Sequence, residues 1–307
     1  MEQHRFTISR PDDIQLSVQR WSGTEQPWAI VQIAHGMAEH VSRYDAFAHF
    51  LVSKGVAVYG NDHRGHGRTA AAAGDIGYFA DEAGFEKVVE DMHAVTERIQ
   101  QENPGIPIVL FGHSMGSFLA RRYVQLYGKE VRGLILSGTG DNPPFLLKLG
   151  KLIAGMEKRI RGSRARSHVL NEISFGQFNR SFKPNRTPFD WLSSDSEAVD
   201  AYIQDPLCGG IFTAGFFYDL FTGSEAIMDK RGIASVPKQL PVFFVSGSLD
   251  PVGQQTKGVL HAYQAFVEAG LQDVSCKLYP EGRHEMLHEV NREEVHEDIW
   301  QWLRAKL

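Results

Sequence analysis

Three side chains in this sequence could together make and break an acyl bond. Ser114 lies in Gly112-His113-Ser114-Met115-Gly116, a G-x-S-x-G pattern. Asp250 follows the apolar run PVFFVSGS, and His284 follows VSCKLYP. A serine hydroxyl is a weak nucleophile at neutral pH. It needs a base within hydrogen-bond reach, and that base needs a carboxylate to hold and charge-balance it. By average glycine and serine usage, roughly one chain in ten of this length carries the five-residue pattern by chance. Here IPIVLFG before it reads as a buried strand, and FLARRYVQLYG after it reads as a helix stopping at Gly128. That context forces the serine onto a sharp turn, and Gly112 and Gly116 supply the room it needs. Serine, acid and base then fall in order after three strand ends, which makes Ser114, Asp250 and His284 the candidate nucleophile, acid and base. The developing oxyanion needs two backbone N–H groups. One is expected from Met115, just after the serine, and the other from Met37, in His35-Gly36-Met37.

A rival reading starts from His284-Glu285-Met286-Leu287-His288, literally H-E-x-x-H, which on a regular helix can hold zinc. His284 sits just beyond Gly282 and a strand, more a loop-to-helix junction than a helix face, and zinc would leave the serine turn unexplained. The expected chemistry needs no metal and no organic cofactor. His35, His40, His63 and His66 read as loop and supporting residues.

The elements that must carry these residues alternate short apolar runs with longer periodic stretches. RFTISR and IQLSVQRW, split by Pro11-Asp12-Asp13, predict an antiparallel hairpin at a sheet edge. Buried strands are expected at residues 28–35, 56–62, 131–138 and 240–250, with helices near 44–54, 85–101, 255–269 and 292–306. AAAA at 70–73 reads as a small-residue loop or a helix start. This is the pattern of βαβ units and a mostly parallel sheet covered on both faces. It pauses after Ser137. The expected division is a core of residues 1–139 and 237–307 carrying a helical cap at 140–236.

Bulk properties fit a globular enzyme. The chain has 307 residues, 42% hydrophobic and 22% charged, with a mean hydropathy of −0.27. That is enough for one large core with an insertion. A net charge of −5 speaks against nucleic acid as a partner. The polar N-terminus lacks a signal-peptide core, so a cytoplasmic location is the expectation. Two cysteines, Cys208 and Cys276, make no disulfide framework.

The stretch HGMAEHVSRYDAFAHFLVSKGVAVYGNDHRGHGRT, the GHSMG turn, QDPLCGG, VSGSLDPV and GRHEMLHE together resemble the monoacylglycerol lipase and lysophospholipase branch of the α/β-hydrolases, also grouped with serine aminopeptidase-like hydrolases. The resemblance runs from about Arg5 to Leu303 and weakens in the cap. It implies an α/β-hydrolase fold and a serine esterase. Ser114, Asp250 and His284 would be its triad, Met37 and Met115 its oxyanion donors, and a small-molecule or lipid ester its substrate. A short-chain carboxylesterase is the alternative. A third is a peptidase of the proline-aminopeptidase type, which would need carboxylates for a free α-amine, with Glu172, Asp190, Asp195 and Glu197 as candidates. His113, Phe145, Leu149, Phe178, Cys208 and Phe212 are the expected substrate-pocket residues, with Phe175, Phe216 and Phe217 forming either pocket or cap core.

The cap opens with FLLKLGKLIAGMEKRI. Phe145, Leu149, Leu152, Ile153, Met156 and Ile160 share one side, and Lys148, Lys151, Lys158 and Arg159 fall toward the other. Such a helix either packs its apolar face on the body or rests on a lipid surface, giving peripheral membrane contact.

Overall fold

The computed structural model describes residues 2–23 and 26–307. Strands β1 (Glu2–Ser9) and β2 (Gln15–Ser22) form the hairpin around Pro11-Asp12-Asp13. After β3 (Ala29–Ala34) and a 3-10 turn at Val41–Tyr44 come helix α1 (Asp45–Ser53) and β4 (Val56–Asn61). Next are α2 (Gly67–Ala73), which takes in the alanine run, α3 (Gly84–Glu102), β5 (Ile108–His113), α4 (Met115–Tyr127) and β6 (Gly133–Ser137). The sheet order is β1-β2-β4-β3-β5-β6, completed by β7 (Val242–Gly247) and β8 (Val274–Tyr279). β2 runs antiparallel to both its neighbours, β1 and β4, and the remaining strand pairs are parallel.

Both faces of the central strands β3 to β7 are buried, and the strand period of two shares the apolar residues between them. Along β5, Ile108 and Leu110 join a core with Val88, Met92 and Val95 of α3 and Leu119 and Tyr123 of α4. Val109 and Phe111 face the other way, against Phe47 and Leu51 of α1.

Between β6 and β7 lie α5 (Pro144–Arg161), α6 (His168–Phe175), α7 (Ser196–Gln204), α8 (Ala214–Ile227) and α9 (Lys230–Ser235). Four of these helices begin on a side-chain cap. Ser167, Asp195, Thr213 and Asp229 each accept a first-turn N–H, filling donors that no helical carbonyl can reach. Helix α5 packs on α8, and α8 packs in turn on α3 and α4. After β7, α10 (Lys257–Glu268) leads to β8, and α11 (Arg292–Lys306) adds Val295, Ile299 and Trp302 to the α1 side.

The orientation of α5 is the reverse of a helix packed by its apolar face. Leu147, Gly150 and Ala154 are buried, and a Cβ on Gly150 would meet the Phe221 ring at 2.8 Å. Small residues therefore let α5 approach α8 closely. Phe145, Leu149, Leu152, Met156 and Ile160 point outward, between 50% and 81% exposed, with Val169 and Ile173 of α6 also exposed. Lys151 reaches inward to Glu225 at 2.7 Å, and Lys158 lies over the Tyr218 ring.

Candidate active site

Ser114 stands between β5 and α4 with φ 53° and ψ −121°, a strained conformation for a residue with a Cβ. Its neighbours leave no alternative. A Cβ on Gly116 would collide with the Ala34 carbonyl, and one on Gly112 would lie 2.5 Å from the Gly116 oxygen. The Ser114 N–H donates to the Ser137 carbonyl at 2.9 Å, pinning the turn to β6. The N-terminal end of α4, with its positive dipole, starts immediately beyond.

Asp250 and His284 sit in the loops after β7 and β8, both fully buried. His284 Nδ1 donates to Asp250 Oδ1 at 3.0 Å, and the Val252 N–H donates to the same oxygen at 2.9 Å. Burial alone would push the His284 imidazole down. The Asp250 charge and hydrogen bond, helped by Glu285 and Glu39, outweigh burial and raise it above the usual histidine range. The His113 ring lies 4.8 Å from the His284 ring, tilted by 46°, and burial pushes it down to about 4, so it stays neutral.

Ser114 and His284 line one cavity of about 210 Å3, together with Gly36, Met37, Ala38, Glu39 and His113. Its far walls are Asn171, Glu172 and Phe175 of α6, Phe189, Trp191 and Leu192 of the following segment, and Tyr202 of α7. The amides of Met37 and Met115 have no protein acceptor among the described residues.

A buried charge cluster fixes the Met37 loop. The Gly36 N–H donates to Glu39 Oε1 at 2.5 Å, and the Tyr44 hydroxyl donates to the same oxygen at 2.8 Å. Arg43 donates to Glu39 at 2.8 Å and to both oxygens of Glu285 at 2.6 and 2.7 Å. Its guanidinium lies 4.8 Å over the Tyr202 ring. Burial would raise the Glu285 carboxyl, but Arg43 overrides it and holds the group well below the carboxylate range. The Tyr202 hydroxyl donates to the Ala38 carbonyl at 3.0 Å, as does the Gly209 N–H, so α7 and the loop after it are tied to the same loop.

Of the expected pocket residues, His113 lines the cavity and the others do not. Phe145 and Leu149 face outward on α5. Phe178 stands behind the wall, edge-on to Trp191 at 4.9 Å. Cys208 and Phe212 border a separate crevice of about 20 Å3 beside His66. Phe212, Phe216 and Phe217 are core, while Phe175 is wall. Aromatic content marked these residues, but period and composition do not say which side of a cap element meets a cavity. Trp191, Leu192, Phe189, Tyr202 and Asn171 went unmarked because they lie in irregular chain or on helix faces that only tertiary packing selects.

The H-E-x-x-H segment is not a regular helix. Met286–His288 forms a 3-10 turn, Glu285 is held by Arg43, and the His288 ring pairs with the Arg43 carbonyl at 3.0 Å. His40, Asp205 and Cys208 bring one N, one O and one S atom within 4.8 Å of one another, and a 2.9 Å hydrogen bond already joins His40 to Asp205.

The family model described as serine aminopeptidase, S33, matches residues 25–291. A monoacylglycerol lipase of Mycolicibacterium smegmatis is 28% identical, the alignment covering 94% of this chain and 92% of that one. A monoglyceride lipase of Mus musculus is 27% identical, covering 94% and 86%. Among solved structures, a thermostable carboxyl esterase from Bacillus coagulans in complex with glycerol superposes with a TM-score of 0.93 at 28% identity, over 100% of this chain and 99% of that chain.

Proposed function

Because this chain belongs to the serine aminopeptidase S33 family of α/β-hydrolases, we propose that it hydrolyses carboxylic esters of lipids, monoacylglycerols or lysophospholipids, through an acyl-serine intermediate. The observation that carries this is that His284, held from behind by Asp250, lines the same aromatic-walled cavity as the strained Ser114. In this reading Ser114 attacks the ester carbonyl while His284 Nε2 takes its proton. Asp250 holds the imidazole by Nδ1 and balances the charge it gains. The Met37 and Met115 amides receive the oxyanion, and loss of one such donor costs about 10²–10³ in kcat. His284 then protonates the leaving alcohol and activates the water that frees the acid.

The cap of residues 140–236, over a core of 1–139 and 237–307, would select the acyl chain. The outward apolar side of α5, flanked by Lys148, Arg159, Arg161 and Arg164, supports peripheral contact with an anionic lipid surface. No helix among the described residues is long and apolar enough to cross a membrane.

The peptidase alternative has less support. Of the four carboxylates it would use, Glu172 lines the cavity. Asp190 is engaged by Arg186 and Thr187, and Asp195 caps α7 and pairs with Arg292. Glu197 sits in the first turn of α7.

The test is fluorophosphonate labelling with hydrolysis of a monoacylglycerol, a lysophosphatidylcholine and an aminoacyl-arylamide, using wild type and Ser114→Ala. Labelling at Ser114 and ester turnover lost in the variant are expected. Arylamide turnover exceeding ester turnover would favour the peptidase, and turnover surviving in Ser114→Ala would end the serine reading.

A further inference from the structure

The wall of the Ser114 cavity includes Trp191, which also lies against the candidate base. Its ring centroid is 5.1 Å from that of His284, tilted by 37°. Its carbonyl accepts the His284 N–H at 3.4 Å, and the Leu192 carbonyl accepts the Glu285 N–H at 2.7 Å. The same segment continues the seam. Ser193 Oγ donates to the His288 carbonyl at 2.9 Å, the Ser194 N–H to Glu289 at 3.1 Å, and Arg283 reaches the Ser193 carbonyl at 3.1 Å. Phe178 meets Trp191 edge-on at 4.9 Å, Phe175 of the same wall lies nearly parallel at 6.4 Å, and Asn179 Oδ1 accepts the Trp191 backbone N–H at 2.9 Å. Trp191 itself is 9% exposed.

From this we infer that Trp191 is both the stop of the acyl subsite and a positioning residue for His284, so that the site takes medium-length acyl groups. The inference rests on the ester-hydrolase reading above. The length follows from the cavity. A cavity of about 150 Å3 holds benzene, six carbons, so scaling to 210 Å3 gives at most about eight acyl carbons before a chain must displace the wall or leave by the mouth. A longer acyl chain that stays in the cavity must press on this wall, and moving Trp191 disturbs the strut beneath the base. Chain length and base position are therefore read by the same ring.

The experiment is a chain-length series of soluble 4-nitrophenyl esters, butanoyl to hexadecanoyl, with wild type, Trp191→Ala and Trp191→Phe, across pH. For wild type the optimum in kcat/KM is expected near octanoyl. Trp191→Ala should raise the dodecanoyl-to-octanoyl ratio about tenfold, since a single methylene in an apolar pocket discriminates by about 10-fold or more. It should also displace the acidic limb of the pH profile upward, because water replaces the indole over the imidazole. Trp191→Phe, which keeps a ring on His284, should retain the limb and shift the ratio less. A Trp191→Phe that matches wild type alongside a Trp191→Ala with the altered ratio and limb supports the inference. An active Trp191→Ala with the ratio within about twofold, or a uniform loss at all lengths with an unmoved limb, overturns it while leaving the esterase reading standing. Absence of turnover in wild type at every length, with Ser114 unlabelled, would overturn both.

Discussion

Replacing Arg43 by Met should unfold this protein more readily at neutral pH than at mildly acidic pH. Arg43, Glu39 and Glu285 are nearly inaccessible, with side chains 9%, 2% and 5% exposed. Three short charge-assisted hydrogen bonds and the contact over Tyr202 balance two carboxylates with one guanidinium. Removing the cation leaves both carboxylates buried. The cost of breaking such a pair from one side is about 3–5 kcal/mol, against a total stability of only about 5–15 kcal/mol. In the wild type Glu285 has a depressed pKa, so its share of stability is present above about pH 4.3 and is lost as pH falls below that value. In Arg43→Met the sign reverses. Burial without the cation raises the Glu285 pKa above its unfolded value, so stability is lost as pH rises through the folded-state pKa. Urea unfolding at pH 7 and pH 5 measures both effects. The double variant Arg43→Met/Glu285→Gln should recover more than half of the loss, because it removes the stranded charge. Activity should fall about 100-fold in the single variant as the Met37 loop loses its anchor. A single-variant loss under about 1 kcal/mol at pH 7, or a double variant no more stable than the single, would refute the account.

Two further outcomes are expected. Burial pushes His35 and His66 down to about 3 and His113 to about 4, and it holds His63 well below its ordinary range. These groups are neutral in the fold but take protons below about 6.5 when unfolded, so their stability is full above that pH and drains as pH falls, at about 1.4 kcal/mol per unit for each. Asp219, raised by burial to about 6, and the raised His284 act in the opposite direction, so a net slope of about three protons from these groups is expected between pH 6 and 5 in unfolding midpoints. A slope below one proton would show that the buried histidines are not held neutral. On α5, Leu152→Glu should leave stability within about 0.5 kcal/mol, since Leu152 is already 59% exposed, while weakening co-sedimentation with anionic vesicles. Unchanged vesicle binding would remove α5 from the membrane-contact reading.

Much of this molecule is readable from local pattern. The β5 turn is legible because its glycines meet backbone atoms, a demand that only one residue type satisfies. The strands are legible because a two-sided sheet leaves long apolar runs. Helix α5 shows where legibility ends. Its period reveals an apolar side, but the direction that side faces depends on Gly150 and Ala154 nesting against α8, a fact of packing rather than of period. The cavity wall is harder still. Trp191 is placed by an Asn179 side chain and by the loop after β8, ninety residues of chain away, and no local signal foretells either.

The order in which the sheet is assembled has a bearing on when the enzyme becomes active. Strand β5 has β3 and β6 as neighbours, all encoded before residue 138, whereas β7 and β8 are added at the edge after the whole insertion. A chain emerging from the ribosome, N-terminus first, can therefore shape the Ser114 turn while Asp250 and His284 are still to be synthesised. In that interval the strained Ser114 turn stands without His284, and the wall segment carrying Trp191 has no His284 N–H to receive. Under the proposed mechanism the centre would therefore stay silent until the segment after β8 is made and docks.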